Sequence, residues 1–320
     1  MKKIFIVILL LSTTVCVYSQ NENNLYYDNG QISEQRQFDK NNNKTAEWKM
    51  FYQNGTLSTI GNYKNGKQTG EWKYYFDNGK LNKIENWENG KRNGKSESYS
   101  IFGTLLSSGM YANGNKTEEW KVYHDNEQLS EIGSYENGSE NGEWKKYYEN
   151  GKLLYIGTYE NKNKTGKWRW YYESGQIDDI GDYKNGYKIG EWKSYYENGQ
   201  VSSVSFFDNG EQIGDSKRYY ENGNLWVEGK FINGRQIGEW KFFYENGNLK
   251  TIGNYDNGKN TGEWLGYHEN GQLKKIGQYN ENGERTGEWK SYHDNGVLES
   301  IGITVDGKQI GDWNYFDITG

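Results

Sequence analysis

The chain has 320 residues, with 44 acidic against 38 basic side chains and a formal net charge of −6, and it carries no basic stripe that could follow a phosphate backbone. Nucleic acid is therefore excluded as an expected partner. Its 13 tryptophans and 29 tyrosines rule out disorder as the source of the low mean hydropathy, because disordered chains are poor in aromatic side chains.

At the N-terminus, Lys2 and Lys3 precede an apolar run from Ile4 to Leu11, followed by Val17-Tyr18-Ser19. This order predicts a secretory signal peptide over residues 1–19, cut after Ser19. A membrane anchor is the competing reading, but the run falls well short of the ~20 apolar residues that span a bilayer. The single cysteine, Cys16, lies inside this segment, so the mature chain has no disulfide and no cysteine ligand for a metal. Lipidation of Cys16 is disfavoured by the branched Val15 before it. Losing the two charges of Lys2 and Lys3 takes the formal charge from −6 to −8. The expected location is the periplasm, the cell surface or the medium.

Residues 20–320 read as one array of about 12 repeats, preceded by a partial repeat around Tyr26, Tyr27 and Ile32. Trp48, Trp72, Trp120, Trp144, Trp168, Trp192, Trp240 and Trp264 are separated by multiples of 24, and Trp289 and Trp313 follow after one inserted residue. A fixed period of this length signals a repeat architecture in which no unit can bury its apolar face alone. With Trp as position 1, the phrase has Tyr-Tyr at 4 and 5, Asn-Gly at 7 and 8, Leu at 10, Ile at 13, Gly at 14, Tyr at 16 and a second Asn-Gly at 18 and 19.

Asn-Gly between alternating aromatic runs predicts hairpins with two-residue type I′ turns, as at Asn78-Gly79, Asn150-Gly151, Asn198-Gly199 and Asn246-Gly247. Such a turn pairs position 5 with 10 and 1 with 14. Positions 1, 5, 10, 14 and 16 then share an aromatic face, 4 and 13 share the other, and position 3 lies at the margin. The expected fold is all-β: an elongated array of stacked antiparallel hairpins of about 25 strands, forming a single coiled sheet.

Departures from the phrase are informative. Trp is replaced by Ser96 and Ser216, and the Gly of the repeats just before them by Glu85 and Ser205. Every other position-14 glycine is followed by a Trp in the next repeat. This correlation predicts that each indole lies over the bare backbone of the preceding hairpin, as aromatic side chains cover strand glycines. Arg36, followed by Trp48 across a longer loop, departs from the rule. Bending or a partner is expected where the coupling is missing, at Glu85 to Ser96 and at Ser205 to Ser216.

The three histidines, His124, His268 and His293, all occupy position 5, so they read as substitutions for tyrosine rather than metal ligands. Glu-Asn-Gly and Asp-Asn-Gly are turn chemistry, and no calcium loop, nucleophile motif or phosphate-cradling glycine loop is present. No catalytic residue, metal or cofactor is expected. Trp226 and Trp170 stand at variable positions of the phrase, and Phe206 and Phe207 lie just upstream of the lost Trp. Together these four are the candidate partner-binding residues, since exposed aromatic side chains dominate interface energetics.

The unit seen in Gly190-Glu191-Trp192-Lys193-Ser194-Tyr195-Tyr196-Glu197-Asn198-Gly199 resembles the MORN-type repeat, in particular the bacterial variant found in toxin-antitoxin system YwqK-family antitoxins. The resemblance covers essentially the whole mature chain. It implies an array of β-hairpins used for protein or lipid association, without catalysis. A weaker likeness is to choline- and glucan-binding repeats, which pair a second Gly-Trp within a shorter period. The reading is an exported, non-enzymatic protein-binding or scaffold module of the cell envelope, in which an antitoxin or immunity role is one form. Its alternative is an envelope binder of glycan or choline-like groups.

Overall fold

The computed structural model describes residues 23–319. The expected signal peptide, its cleavage site and Cys16 lie outside the described residues. Among those described there are 25 strands and no helix, and all strand pairings are antiparallel within one sheet. The chain divides into two compact units: one holds the residues up to Leu105 with Tyr111–Gly114, the other Leu106–Met110 and Asn115 onward.

One hairpin of the second unit shows how the phrase folds. Strand Ser139–Tyr147 pairs with Leu153–Glu160 through Trp144 with Gly157, Lys145 with Ile156 and Lys146 with Tyr155. Tyr147 then pairs with Leu153, and the register shifts there, leaving Leu154 as a bulge. Position 4, not position 5, therefore faces Leu at 10, which corrects the expected pairing.

The cause is the turn. Gly151 N–H donates to Tyr148 C=O at 2.9 Å and Tyr148 N–H donates to Lys152 C=O at 2.8 Å. Of the turn residues only Gly151 has a positive φ, at 80°. This is a type I turn followed by a glycine bulge, with three loop residues instead of the expected two. Asn150 stays out of the left-handed region because its Oδ1 accepts Lys152 N–H at 2.9 Å, a local side-chain turn. The same pattern holds at the other predicted sites, where Gly79, Gly199 and Gly247 have positive φ and Asn78, Asn198 and Asn246 do not. Type I′ geometry occurs instead at the second Asn-Gly, as at Asn185 (φ 51°) and Gly186 (φ 83°) between paired Lys184 and Tyr187.

Position 5 is consequently not a core position. Its side chain leaves the turn and reaches the next repeat: Tyr148 donates its hydroxyl to Tyr171 C=O at 2.7 Å, and Tyr196 to Tyr219 C=O at 2.6 Å. Asn at position 7 follows the same course, with Asn198 Nδ2 donating to Glu221 C=O at 3.0 Å. A ladder of side-chain to backbone bonds thus ties most turns to their successors, the turns with Phe76 and Ser100 at position 5 excepted.

The expected indole-over-glycine contact is present in all nine cases. The atoms nearest an added Cβ at Gly133 belong to Trp144, at 2.1 Å, and those nearest one at Gly157 belong to Trp168, also at 2.1 Å. No side chain fits between ring and backbone. Between strands Leu153–Glu160 and Asn163–Tyr171 the ladder is interrupted, with Ile156 paired to Arg169 but Thr158 to Thr165. The extra residues include Gly166 at φ 61°, whose left-handed turn precedes Trp168 and carries its ring over Gly157.

Two stability outcomes follow from this packing. Gly157→Ala forces the Trp168 ring off the backbone and is expected to cost roughly 3 kcal/mol, as overpacking does. Ser205→Ala, where no indole covers the strand, is expected to cost under about 1 kcal/mol. Equal losses in chemical denaturation would overturn the assignment. Glu118 occupies the left-handed site at φ 58° where its sister residues are glycines apart from Ala46, so Glu118→Gly is expected to raise stability by about 1 kcal/mol in the same measurement.

Candidate functional site

The indoles sit between tyrosines along one face of the sheet. In the second unit the order Trp120, Tyr135, Trp144, Tyr159, Trp168, Tyr183, Trp192, Phe207 runs through edge-to-face contacts, the tightest being Tyr159 to Trp168 at 5.0 Å between ring centroids. After a gap the order resumes from Phe231 through Trp240, Tyr255, Trp264 and Tyr279 to Trp289. Each such pair adds about 1 kcal/mol beyond its buried area. The first unit carries a shorter run, Phe38, Trp48, Tyr63 and Trp72.

Position 3 belongs to this face rather than to its margin. Trp170 stacks on Trp168 at 5.5 Å and approaches Trp192 at 5.6 Å, while Tyr74 and Phe242 stand beside Trp72 and Trp240. Lysine at position 21 covers what remains of the ring faces: Lys44, Lys116, Lys164 and Lys188 hold their ammonium groups 4.2, 4.2, 4.3 and 3.8 Å from Trp48, Trp120, Trp168 and Trp192. Burial among the rings pulls Lys164 and Lys188 below the usual lysine range.

The two interruptions are filled by different chemistry. In the first unit the Glu85 carboxylate lies buried opposite Ser96, with Lys83 Nζ at 3.4 Å and Arg92 Nε at 3.6 Å. Burial, reinforced by Glu85, pushes the Tyr74 hydroxyl up to about 12. In the second unit Gln212 Nε2 donates to both Ser205 Oγ and Ser216 Oγ at 3.1 Å, bridging the residues that replace glycine and indole.

Next to Ser216 the aromatic face is open. A recess of 160 Å³ lies between Ser216 and Trp240, walled by Trp226, Val227, Phe231, Trp240 and Phe242, with Arg218 and Gln236 also lining it. Val227 is 7% exposed and Trp226 42%, so the recess has a buried floor and one accessible wall. On the other face the same repeats leave a wider hollow of 490 Å³, where Lys217 already pairs with Glu228 and Lys230 with Asp215.

The four candidate residues are not gathered into one patch. Trp170 and Phe207 are in the aromatic run, Phe207 standing 6.3 Å from Trp192. Phe206 points to the opposite face, between Glu191 and Ile213 of its neighbouring strands. Trp226 alone is well exposed, at the bulge position, with Tyr220 6.0 Å away. Arg218, Phe231, Gln236, Trp240 and Phe242 were not singled out from the sequence as a site, because positions 3 and 21, where Arg218 and Gln236 stand, vary among the repeats and gave no clear signal.

Each histidine repeats the role of the tyrosine it replaces. The Nε2 atoms of His124, His268 and His293 lie 3.0, 2.8 and 3.0 Å from the carbonyls of Tyr147, Tyr292 and Phe316. Among the described residues no three or more His, Cys, Asp or Glu side chains are placed to hold a metal ion.

Comparison with known families gives a match to the MORN repeat variant over ten segments: residues 44–65, 68–89, 119–137, 140–161, 164–185, 188–209, 212–233, 236–257, 260–281 and 285–306. The chain belongs to the MORN repeat variant family. MORN repeats are in general protein- or membrane-binding modules. The matched segments pass over the Ser96 repeat but include the one that opens with Ser216. No curated protein matches the chain. Solved structures that align with it include the TcdB2-TccC3-Cdc42 crystal structure, at 13% identity and TM-score 0.19 over 88% of this chain. The Photorhabdus luminescens Tc holotoxin pore aligns at 14% identity and TM-score 0.18 over 87% of it. The chain spans only 17% of the length of either, and at these scores the likeness carries no argument.

On the MORN face, Asp179 accepts a hydrogen bond from Ser194 Oγ, but burial dominates and raises its carboxyl above the ordinary 3.8. The folded state therefore holds this proton to higher pH than the unfolded state, and the carboxylate costs stability once pH passes through the raised value. Asp179→Asn is expected to raise the melting temperature at pH 7, with the gain vanishing below about pH 3.8. A gain that persists at pH 3 would show that charge is not the cause.

Proposed function

We propose that this MORN-repeat chain is an exported, non-enzymatic module of the cell envelope that associates with another protein. The observation that carries the reading is the break in the aromatic face at Ser216. At Trp48, Trp120, Trp168 and Trp192 indole, tyrosine and lysine cover one another, and at Glu85 ions close the face. At Ser216, by contrast, the half-exposed Trp226 and the recess beside it leave aromatic surface open to a partner. Accessible aromatic surface in a concave setting is where binding energy concentrates. Association with proteins or membranes is also what repeats of this family generally do.

A YwqK-type antitoxin or immunity role is a narrower form of the same reading, decided by whether the partner is a toxin. The second reading, recognition of choline-like groups, has less room. The indoles at Trp48, Trp120, Trp168 and Trp192 already carry the chain's own ammonium groups, which an outside cation would have to displace.

Fractionation of cells producing the full chain, followed by capture on the mature form, tests the proposal. The expected outcome is a processed N-terminus outside the cytoplasm, one protein recovered in stoichiometric amount, and tryptophan fluorescence unchanged by choline or soluble glycans. A chain retaining Lys2 and Lys3 in the cytoplasm would overturn export, and quenching by glycans without protein capture would overturn the choice of partner.

A further inference from the structure

We propose that the recess beside Ser216 is a socket for one aromatic ring, phenylalanine or tyrosine, presented by another protein next to a carboxylate. The inference rests on the protein-binding reading above and names the chemistry of the contact.

Size comes first. The recess measures 160 Å³, and an apolar protein cavity of ~150 Å³ stays dry and accepts benzene. A phenyl or phenol ring fits this space. The lining is suited to such a ring, since Val227, Phe231, Trp240 and Phe242 present carbon, and Trp226 forms the accessible wall.

Two sister repeats show that this place can hold a ring, while others carry small or polar residues such as Lys146, Ser194 and Gly266 at position 3. Two repeats earlier, the ring of Trp170 at position 3 occupies the space between successive indoles, 5.5 Å from Trp168 and 5.6 Å from Trp192. Phe242 does the same between Trp240 and Trp264, at 6.2 and 6.5 Å. In the Ser216 repeat, position 3 is Arg218, so the chain supplies no ring of its own. Arg218 is exposed and has no ion pair among the described residues, although its neighbours Lys217 and Lys230 are both paired. A guanidinium beside an aromatic socket favours a ligand with a carboxylate next to its ring, because that charge pairs bidentately with the fork.

The test uses the mature chain and three small probes followed by ligand-observed NMR. N-acetylphenylalanine, which has ring and carboxylate, is expected to bind in the millimolar range. Its amide, which lacks the carboxylate, should bind about three-fold more weakly, as an exposed ion pair allows. N-acetylalanine should not bind detectably. Arg218→Gln should erase the difference between the first two probes. Arg218→Trp should place the chain's own ring in the socket and abolish binding while the fold is retained by circular dichroism. Trp226→Ala removes an exposed wall and should weaken binding at least three-fold, which decides the matter if the Arg218→Trp chain does not fold. Absence of ring binding to the wild-type chain, or unchanged binding to the folded Arg218→Trp chain, would overturn the socket. Partner capture that persists while the probes fail removes the socket and leaves the association reading intact. Probe binding without any partner removes that reading instead.

Discussion

The contact on which the rest depends is an indole lying flat against the backbone of the preceding hairpin. Because the ring leaves no space for a Cβ, position 14 is glycine before nine of the ten position-1 tryptophans, Arg36 before Trp48 being the exception. The same contact explains the left-handed residue two before each Trp of the phrase, glycine except at Ala46 and Glu118, whose conformation swings the strand so that the ring arrives over its target. Three residues spread over two hairpins are thus one packing unit. A hairpin alone has no partner for its indole or its bare glycine, so the fold propagates from neighbour to neighbour, as repeat arrays do.

A second coupling runs along the turns and uses polar groups. Tyrosine or histidine at position 5 and asparagine at position 7 each reach a carbonyl one repeat onward, at distances such as 2.7 Å for Tyr172 to Tyr195 and 2.7 Å for Asn126 to Glu149. These bonds absorb most of the side chains whose chemistry would otherwise invite a catalytic reading. Histidine substitutes for tyrosine here because both can place a donor at the same carbonyl. The lysines over the indoles are absorbed similarly, their stems packing on the rings while the ammonium groups sit against the faces.

Against this background the two interruptions differ in consequence. At Glu85 and Ser96 the lost ring is replaced by a buried carboxylate held between Lys83 and Arg92, which closes the face. At Ser205 and Ser216 only the amide of Gln212 bridges the gap, and the next position-3 side chain is a solvent-exposed arginine. One interruption is sealed by ions and the other is left partly open, and an array with otherwise continuous packing acquires a distinct place along its length. That distinctness is a reasonable basis for recognition, since the remaining repeats offer a partner nearly the same surface many times over.

The period, the all-β class, the strand count and the pairing of indole with glycine were legible in the sequence, because each follows from residue types recurring at fixed spacing. Ser205 and Ser216 were legible as an interruption for the same reason. The turn at Asn150-Gly151 was not, since Asn-Gly suits both a two-residue turn and a three-residue turn with a glycine bulge, and only the side-chain bond from Asn150 to Lys152 N–H chooses between them. That single residue of difference moved position 5 from the core to the edge. Nor could the sequence show that Arg218, Phe231, Trp240 and Phe242 converge, because a recess is the space left by several side chains at once and depends on strand register as well as identity. Sequence alone determined which contacts repeat; tertiary structure decided where the repetition leaves room.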